Sequence, residues 1–352
     1  MAQASTSTWT TRRLLVWTTT HFTERGVDSP RVCAEMLLGH VLGVPRLKLY
    51  LEPDRPASDD ERATFRDLVT RAGRHEPVDY LVGRAPFFGL EFAVDPSVLV
   101  PRPSTETVVE YVLQEVRART RTDAAGRVDP AEQAQKAGEA GRPGGPAPAA
   151  ATTGGGEADD AANRPVAAAA YARTPTATAA TPLRIADVGT GSGAIALTLL
   201  RHLPAATAVA TDLSEAALDT ARQNADALGV ADRVDFRGGD LLEPLAGERF
   251  DYLLSNPPYI PDAEWPAVPP NVKDHEPTKA LRGGADGLDC LRPLIAGAAD
   301  HLTEGGTALF EHAAAHAAHV RTLAGAAGFS RVRTLRDHEG LERVAVLTAG
   351  GA

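Results

Sequence analysis

Between residues 183 and 259 four short apolar runs recur, and each closes on glycine, an acid or asparagine. Leu183 to Val188 leads into Gly189, Gly191 and Gly193 and then a helical stretch from Ala194 to Leu200. Ala206 to Ala210 ends in Thr211-Asp212, after which Ser214 stands as the N-cap of a helix running to about Leu228. Arg233 to Arg237 ends at Gly239-Asp240, and Phe250 to Ser255 delivers Asn256. Strands that alternate with helices pair in parallel, since a crossover connection is what parallel neighbours require. The expected fold is therefore α/β, with the polar strand ends gathered on the rim where open parallel sheets bind ligands. Downstream, Gly287 to Leu302 reads as a helix and Thr307 to Phe310 as a fifth strand. Val332 to Leu335 and Val344 to Leu347 complete the set as an antiparallel pair joined through Gly340.

Two of these strand ends carry chemistry. The turn from Asp187 through Gly189, Thr190, Gly191, Ser192 and Gly193 has the spacing G-x-G-x-G. Its glycines permit positive φ and let a ligand lie against bare backbone, although a glycine turn alone is a weak signal. Asp212, about 20 residues further on, is placed to accept hydrogen bonds from both hydroxyls of a ribose. Asp240 and Leu241 stand where an adenine would be bordered. Asn256-Pro257-Pro258-Tyr259 is more specific. Two consecutive prolines fix φ and remove two N–H donors, so the turn presents acceptors. An NH2 group can donate one hydrogen to the Asn256 side-chain carbonyl and the other to the Pro257 carbonyl, with Tyr259 flat against its plane. Pro-Pro also suits a plain strand-ending turn, and Asn256 a turn cap.

Read together, these features resemble S-adenosylmethionine-dependent methyltransferases of the seven-stranded, Rossmann-like class. Asn-Pro-Pro-Tyr after the fourth strand is shared by enzymes that methylate adenine in nucleic acids and glutamine in proteins. Two further segments are similar to the HemK/PrmC family of release-factor glutamine N5-methyltransferases. One runs from Arg74-His-Glu-Pro-Val-Asp-Tyr-Leu-Val-Gly83 to Val98-Leu-Val-Pro-Arg-Pro-Ser-Thr-Glu106, and the other is Val272-Lys-Asp-His-Glu-Pro-Thr-Lys-Ala-Leu-Arg-Gly-Gly-Ala-Asp-Gly-Leu288. The resemblance implies S-adenosylmethionine as cofactor and peptide chain release factors as protein substrates. It places the cofactor at Asp187, Gly189 to Gly193, Asp212, Asp240, Leu241 and Asn256, and the glutamine at Asn256 to Tyr259. A ribosomal protein and a nucleic-acid adenine stay open as alternative substrates. The chain departs from the family pattern at Ser104, where an acid is usual, and at Leu241, where an aromatic is frequent. It departs again at Glu311-His-Ala-Ala-Ala-His316, where Glu-Ile-Gly-x-x-Gln is usual.

Composition narrows the alternatives. A net charge of −10 over 352 residues disfavours a nucleic-acid partner, which wants a basic face. Lysine occurs only at positions 48, 136, 273 and 279, so arginine carries most of the positive charge. Cys33 and Cys290 are too few for a disulfide framework or a zinc site. His312, His316 and His319 have helical spacing without an accompanying carboxylate or thiol cluster, and no metal is expected there. No apolar run approaches a membrane span, and no signal pattern opens the chain. The expectation is a cytoplasmic enzyme.

Four regions follow. Residues 1–75 read as a helical bundle, which the resemblance makes a substrate-docking module. Trp9, Leu14, Trp17 and Phe22 mark one apolar stripe. Ser29-Pro30 opens a helix with Val32, Met36, Leu37 and Val41, and Ser58 to Glu61 forms a capping box. Residues 76–117 read as a connecting hairpin, from Phe87 to Val100 with Gly89 near its turn, and a helix. In it, Arg102 is by default a surface arginine, with an acid near the cofactor face as the alternative partner. Residues 118–181, dominated by Ala, Gly, Pro and Thr, cannot bury enough surface to offset ordering entropy and read as a disordered insertion. Residues 182–352 form the methyltransferase domain, with 260–279 as a lid or substrate-side loop.

Overall fold

The computed structural model describes residues 8–126 and 182–349. The expectations for 1–7, 127–181 and 350–352 lie outside the described residues.

Five helices open the chain: α1 (Thr11–Glu24), α2 (Pro30–Leu42), α3 (Arg46–Leu51), α4 (Asp59–Ala72) and α5 (Val78–Val82). They enclose Leu14, Phe22, Leu37, Leu38, Leu49, Phe65, Leu68 and Val69, and the same cluster continues through Val78, Leu81 and Val82 of α5. The bundle core therefore runs past residue 75. Ser58 and Glu61 form the reciprocal capping box at the start of α4. At α2, Pro30 takes the first turn as expected, but Ser29 is left-handed (φ 48°) and its side chain caps nothing. The helix face also differs: Val32 is exposed, and Ala34, Leu37 and Leu38 point inward. In α1 only Leu14 and Phe22 of the apolar stripe enter the core, while Trp17 stays 50% exposed.

The connecting hairpin pairs β1 (Arg84–Phe87) with β2 (Leu90–Ala93), earlier and shorter than 87–100. Phe88 (φ 50°) and Gly89 (φ 75°) make the turn, the double positive φ that matches strand twist. A positive φ is unusual for phenylalanine, and two features offset it. Its ring is buried, and its N–H donates to Glu106 Oε1 at 2.6 Å. Residues 94–102 are irregular because Pro96, Pro101 and Pro103 interrupt any ladder. Helix α6 (Glu106–Gly126) buries Val108, Val109, Val112, Leu113 and Val116 against the sheet domain. It extends through residues 118–126, which had been assigned to the insertion. No Gly or Pro occurs between Glu106 and Ala125, so nothing local stops the helix sooner.

The main sheet has seven strands in the order β5-β4-β3-β6-β7-β9-β8. They are β3 (Arg184–Val188), β4 (Thr207–Asp212), β5 (Val234–Gly238), β6 (Phe250–Ser255), β7 (Leu302–Glu311), β8 (Arg331–Arg336) and β9 (Glu342–Thr348). The first five are parallel, and β9 runs antiparallel to both β7 and β8. The sheet's helices are α7 (Ala194–His202), α8 (Glu215–Leu228), α9 (Pro270–Lys273), α10 (Leu291–Gly297) and α11 (Ala317–Ala326). The expected helix from Gly287 to Leu302 is thus shorter. Gly287 (φ 77°) holds a turn ahead of it, and a 3-10 segment, Ala298–His301, tightens its end. Strand order reverses between β3 and β6, which opens the crevice used for ligands in such sheets.

Candidate active site

A cavity of about 450 Å³ lies at the carboxyl ends of β3, β4 and β6. Its floor is the turn after β3, where Gly189 (φ 69°) and Gly191 (φ 56°) are left-handed. A Cβ added to either would meet nothing within 4 Å, so the backbone there is bare toward open space. Gly193, by contrast, does not line the cavity. An added Cβ would stand 2.6 Å from Leu197 Cδ1, so this glycine serves close packing between turn and helix.

The two strand-end acids, alike in sequence, do different things. Asp212 borders the cavity. Its Oδ2 accepts the Gly191 N–H at 2.9 Å and its Oδ1 the Ser214 N–H at 2.9 Å. Each carboxylate oxygen keeps a lone pair for a further donor. Burial raises its pKa, and the backbone donors of Ser214, Gly191 and Leu213 pull it back. Asp187 is fully buried and is not part of the cavity wall. Its Oδ2 accepts from Thr190 Oγ1 (2.7 Å) and from the Ala196 N–H (3.2 Å), bracing the glycine turn against the start of α7. The expected contact of Asp187 with a ligand is replaced by this internal role, because its side chain points beneath the turn.

Burial pushes the Asp187 carboxyl up to about 6, against the Thr190 and Ala196 hydrogen bonds, and Asp212 adds to the rise. Between the ordinary carboxylate value and pH 6 the folded chain holds the proton more tightly than the unfolded chain. The penalty for the buried charge is fully present above about pH 6 and fades as pH falls. Wild type should therefore gain thermal stability relative to Asp187→Asn on acidification from pH 7 to 5. A stability difference that is flat across that range, read by calorimetry on both proteins, would contradict the assignment.

Asn256, Pro257 and Pro258 line the same cavity from the end of β6, and Asp240 and Leu241 line it after β5. Leu241 is left-handed (φ 45°) and packs partly against the core under α10. Ser255 Oγ donates to the Val188 carbonyl at 2.7 Å, tying β6 to β3 just below the site. Among the described residues no hydrogen bond reaches Asn256 Oδ1 or the Pro257 carbonyl. Both acceptors are available to an NH2 group. Tyr259 does not line the cavity. Its ring is half-buried, and burial first, then the charge of the Glu311 carboxylate, raises the phenol pKa. The expectation of a flat ring against the planar group is thus not met, because the chain has already turned toward β7.

Three residues given no such part by sequence reasoning complete the site. Thr105 lines the cavity, and Ser104 and Glu311 stand behind it. Of the two readings of Arg102, the acid partner holds over the surface arginine: it pairs with Glu276, whose side chain is 1% exposed, from the 260–279 loop. The Val100 N–H also donates to Glu276 at 3.3 Å. This pair clamps the loop over the segment 98–102. Burial raises the Glu276 pKa and Arg102 opposes it.

A bare-backbone floor, an acid with ribose-ready lone pairs and a wall offering only acceptors share one rim of this sheet. The protein is an S-adenosylmethionine-dependent methyltransferase, and the cavity fits that cofactor: the glycines leave room where a side chain would fill it. The family model described as PrmC N-terminal domain matches residues 13–83, and that described as Methyltransferase small domain matches residues 174–266. The release factor glutamine methyltransferase of Chlorobaculum tepidum is 36% identical over 339 residues, covering 95% of this chain and 96% of the relative. That of Geobacter sulfurreducens is 34% identical, covering 96% and 95%, and that of Rhodopirellula baltica 33%, covering 98% of each. Among solved structures, the crystal structure of a methyltransferase from Pyrococcus furiosus is 18% identical with a TM-score of 0.37, covering 48% of this chain and 76% of that one. The chain belongs to the release factor glutamine methyltransferase family. Among the described residues no helix is long and apolar enough to cross a membrane.

Proposed function

We propose that this enzyme transfers a methyl group to the side-chain amide nitrogen of the glutamine in the Gly-Gly-Gln motif of peptide chain release factors. The observation that carries this reading is the pair of free acceptors, Asn256 Oδ1 and the Pro257 carbonyl, beside the cavity in a chain of this family. When bound, S-adenosylmethionine supplies a sulfonium methyl that a nucleophile can displace directly. An amide nitrogen is a poor nucleophile, since its lone pair is delocalised, so the protein's task is alignment. Asn256 and Pro257 each accept one N–H of the amide and fix its plane, and they favour nitrogen as it becomes more positive. Asp212 accepts from the ribose hydroxyls, the bare backbone of Gly189 and Gly191 takes the amino-acid end, and Leu241 borders the base. Pro258 holds the loop's φ. Thr190 and Ser192 complete the floor. The proton leaves after transfer, so no strong base is needed at the loop. The same two acceptors suit a ribosomal-protein glutamine or an adenine; family membership favours the release factor, and the net charge of −10 disfavours nucleic acid. Mass spectrometry of a release factor after incubation with enzyme and cofactor tests the reading. One added methyl on the glutamine of the Gly-Gly-Gln peptide supports it, and an unmodified peptide opposes it.

The bundle, on this reading, docks the substrate. A groove of about 460 Å³ between α1 and α4 is lined by Arg25, Arg62, Arg66 and Arg74 with Trp9, Trp17 and Phe65, and by no acidic residue. Trp17 stacks on His21 at 5.0 Å, meets Trp9 edge to face at 6.5 Å and is still half exposed. In a chain of net negative charge, such a groove suits an acidic segment of the release factor. Reversing Arg66→Glu together with Arg74→Glu should raise KM for the intact factor by about tenfold at low salt. An unchanged KM would remove the groove from the docking surface.

A further inference from the structure

Thr105 stands between the catalytic loop and a buried carboxylate. Its hydroxyl donates to Glu311 Oε2 at 2.7 Å, and it accepts from Asn256 Nδ2 at 3.1 Å. Ser104 Oγ donates to the other Glu311 oxygen at 3.0 Å. Glu311 is 0% exposed at the end of β7, and Thr105 is 4% exposed. Burial raises the Glu311 pKa, and the Thr105 and Ser104 hydroxyls, then the Arg343 guanidinium, oppose the rise and favour the ionised carboxylate.

A hydroxyl has one hydrogen to give. An ionised carboxylate only accepts, so Thr105 spends its hydrogen on Glu311 and presents only lone pairs to Asn256. The neighbour must then be a donor, and for an asparagine amide that is the NH2 end. The carbonyl end, Oδ1, is then the end left without a hydrogen-bond partner among the described residues, on a side chain that lines the cavity. Without this constraint the two ends of an amide are nearly equal in shape, and a half-turn would offer the incoming NH2 group another NH2. We propose that Glu311 and Thr105 act as a positioning pair that sets which end of the Asn256 amide faces the substrate. Ser104 occupies the other carboxylate oxygen and helps hold Glu311 in place. The inference rests on the proposed role of Asn256 in holding the substrate amide, though the orientation itself does not.

The hydroxyl, and not the bulk of Thr105, is the operative part. Thr105→Val keeps the shape and removes both donor and acceptor, whereas Thr105→Ser keeps the hydroxyl. With intact release factor as substrate, Thr105→Val should lower kcat by about 30- to 100-fold, with the cofactor Kd and the factor's KM each within about threefold. Thr105→Ser should stay within about threefold of wild type. A second reading uses no substrate: the Asn256 side-chain NH2 resonances in ¹⁵N-labelled protein, assigned by their loss in Asn256→Asp. They should show slowed solvent exchange in wild type and in Thr105→Ser, and lose that protection in Thr105→Val. Protection that persists in Thr105→Val overturns the proposal, whatever the kinetics. Equal loss of kcat in Thr105→Ser and Thr105→Val would also overturn it, pointing to packing alone. If wild type fails to methylate release factor while the NMR pattern is as expected, the substrate reading fails and the positioning pair stands.

Discussion

Asn256→Ala is expected to lower turnover on a glutamine substrate by at least about 10³-fold while shifting the cofactor Kd by less than about threefold. The loss is large because the substitution removes an acceptor and the alignment it enforces. The Pro257 carbonyl alone holds one N–H and leaves the amide free to rotate about it. Cofactor affinity should hold because the substitution leaves the glycine turn and the Asp212 carboxylate, with its Gly191 and Ser214 hydrogen bonds, in place. Initial rates at saturating release factor, set beside calorimetric binding of S-adenosylmethionine, give both quantities. Loss of affinity matching loss of turnover would show that Asn256 belongs to the cofactor site and not to the amide clamp.

Asp212→Ala is expected to do the reverse, weakening cofactor binding by about 10- to 100-fold, the worth of hydrogen bonds to an ionised acceptor. Two losses combine in it. The ribose loses its acceptor, and the Gly191 and Ser214 N–H groups lose theirs, which loosens the floor of the cavity. Asp212→Asn retains one carbonyl oxygen and should fall between wild type and Asp212→Ala. At saturating cofactor, kcat of Asp212→Ala should recover to within about threefold of wild type, since ribose contacts bind ground and transition states alike. A kcat that stays depressed at saturation would mean that Asp212 shapes the transfer itself.

Much of the fold was readable because strand ends carry their own punctuation. The runs at 183–188 and 250–255 are followed by Gly189 and by Asn256-Pro257-Pro258, and β3 and β6 end at those points. The acids illustrate where this reading runs out. Asp187 and Asp212 both close apolar strands beside glycines, yet one braces a helix N-terminus from below and the other faces the cavity. Which side of the turn a carboxylate takes depends on what packs above it, and local sequence is silent on that. Thr105 was missed for a different reason. It meets Asn256 across 151 positions, and Ser104 meets Glu311 across 207. A hydroxyl between two prolines and a helix has no local signature of such a partner. An acid was one of two readings for Arg102, but its partner Glu276 lies 174 positions away and only the folded loop joins them. The lower boundary of the insertion failed on composition: residues 118–125 contain no Gly or Pro that would end α6, which runs on to Gly126.

Transfer of label from radiolabelled S-adenosylmethionine to a release factor, beside the same factor carrying Gln→Ala in its Gly-Gly-Gln motif, tests the central claim most directly. The account predicts label on the wild-type factor and none on the Gln→Ala factor. Equal label on both, or none on either when cofactor binding is intact, would contradict it.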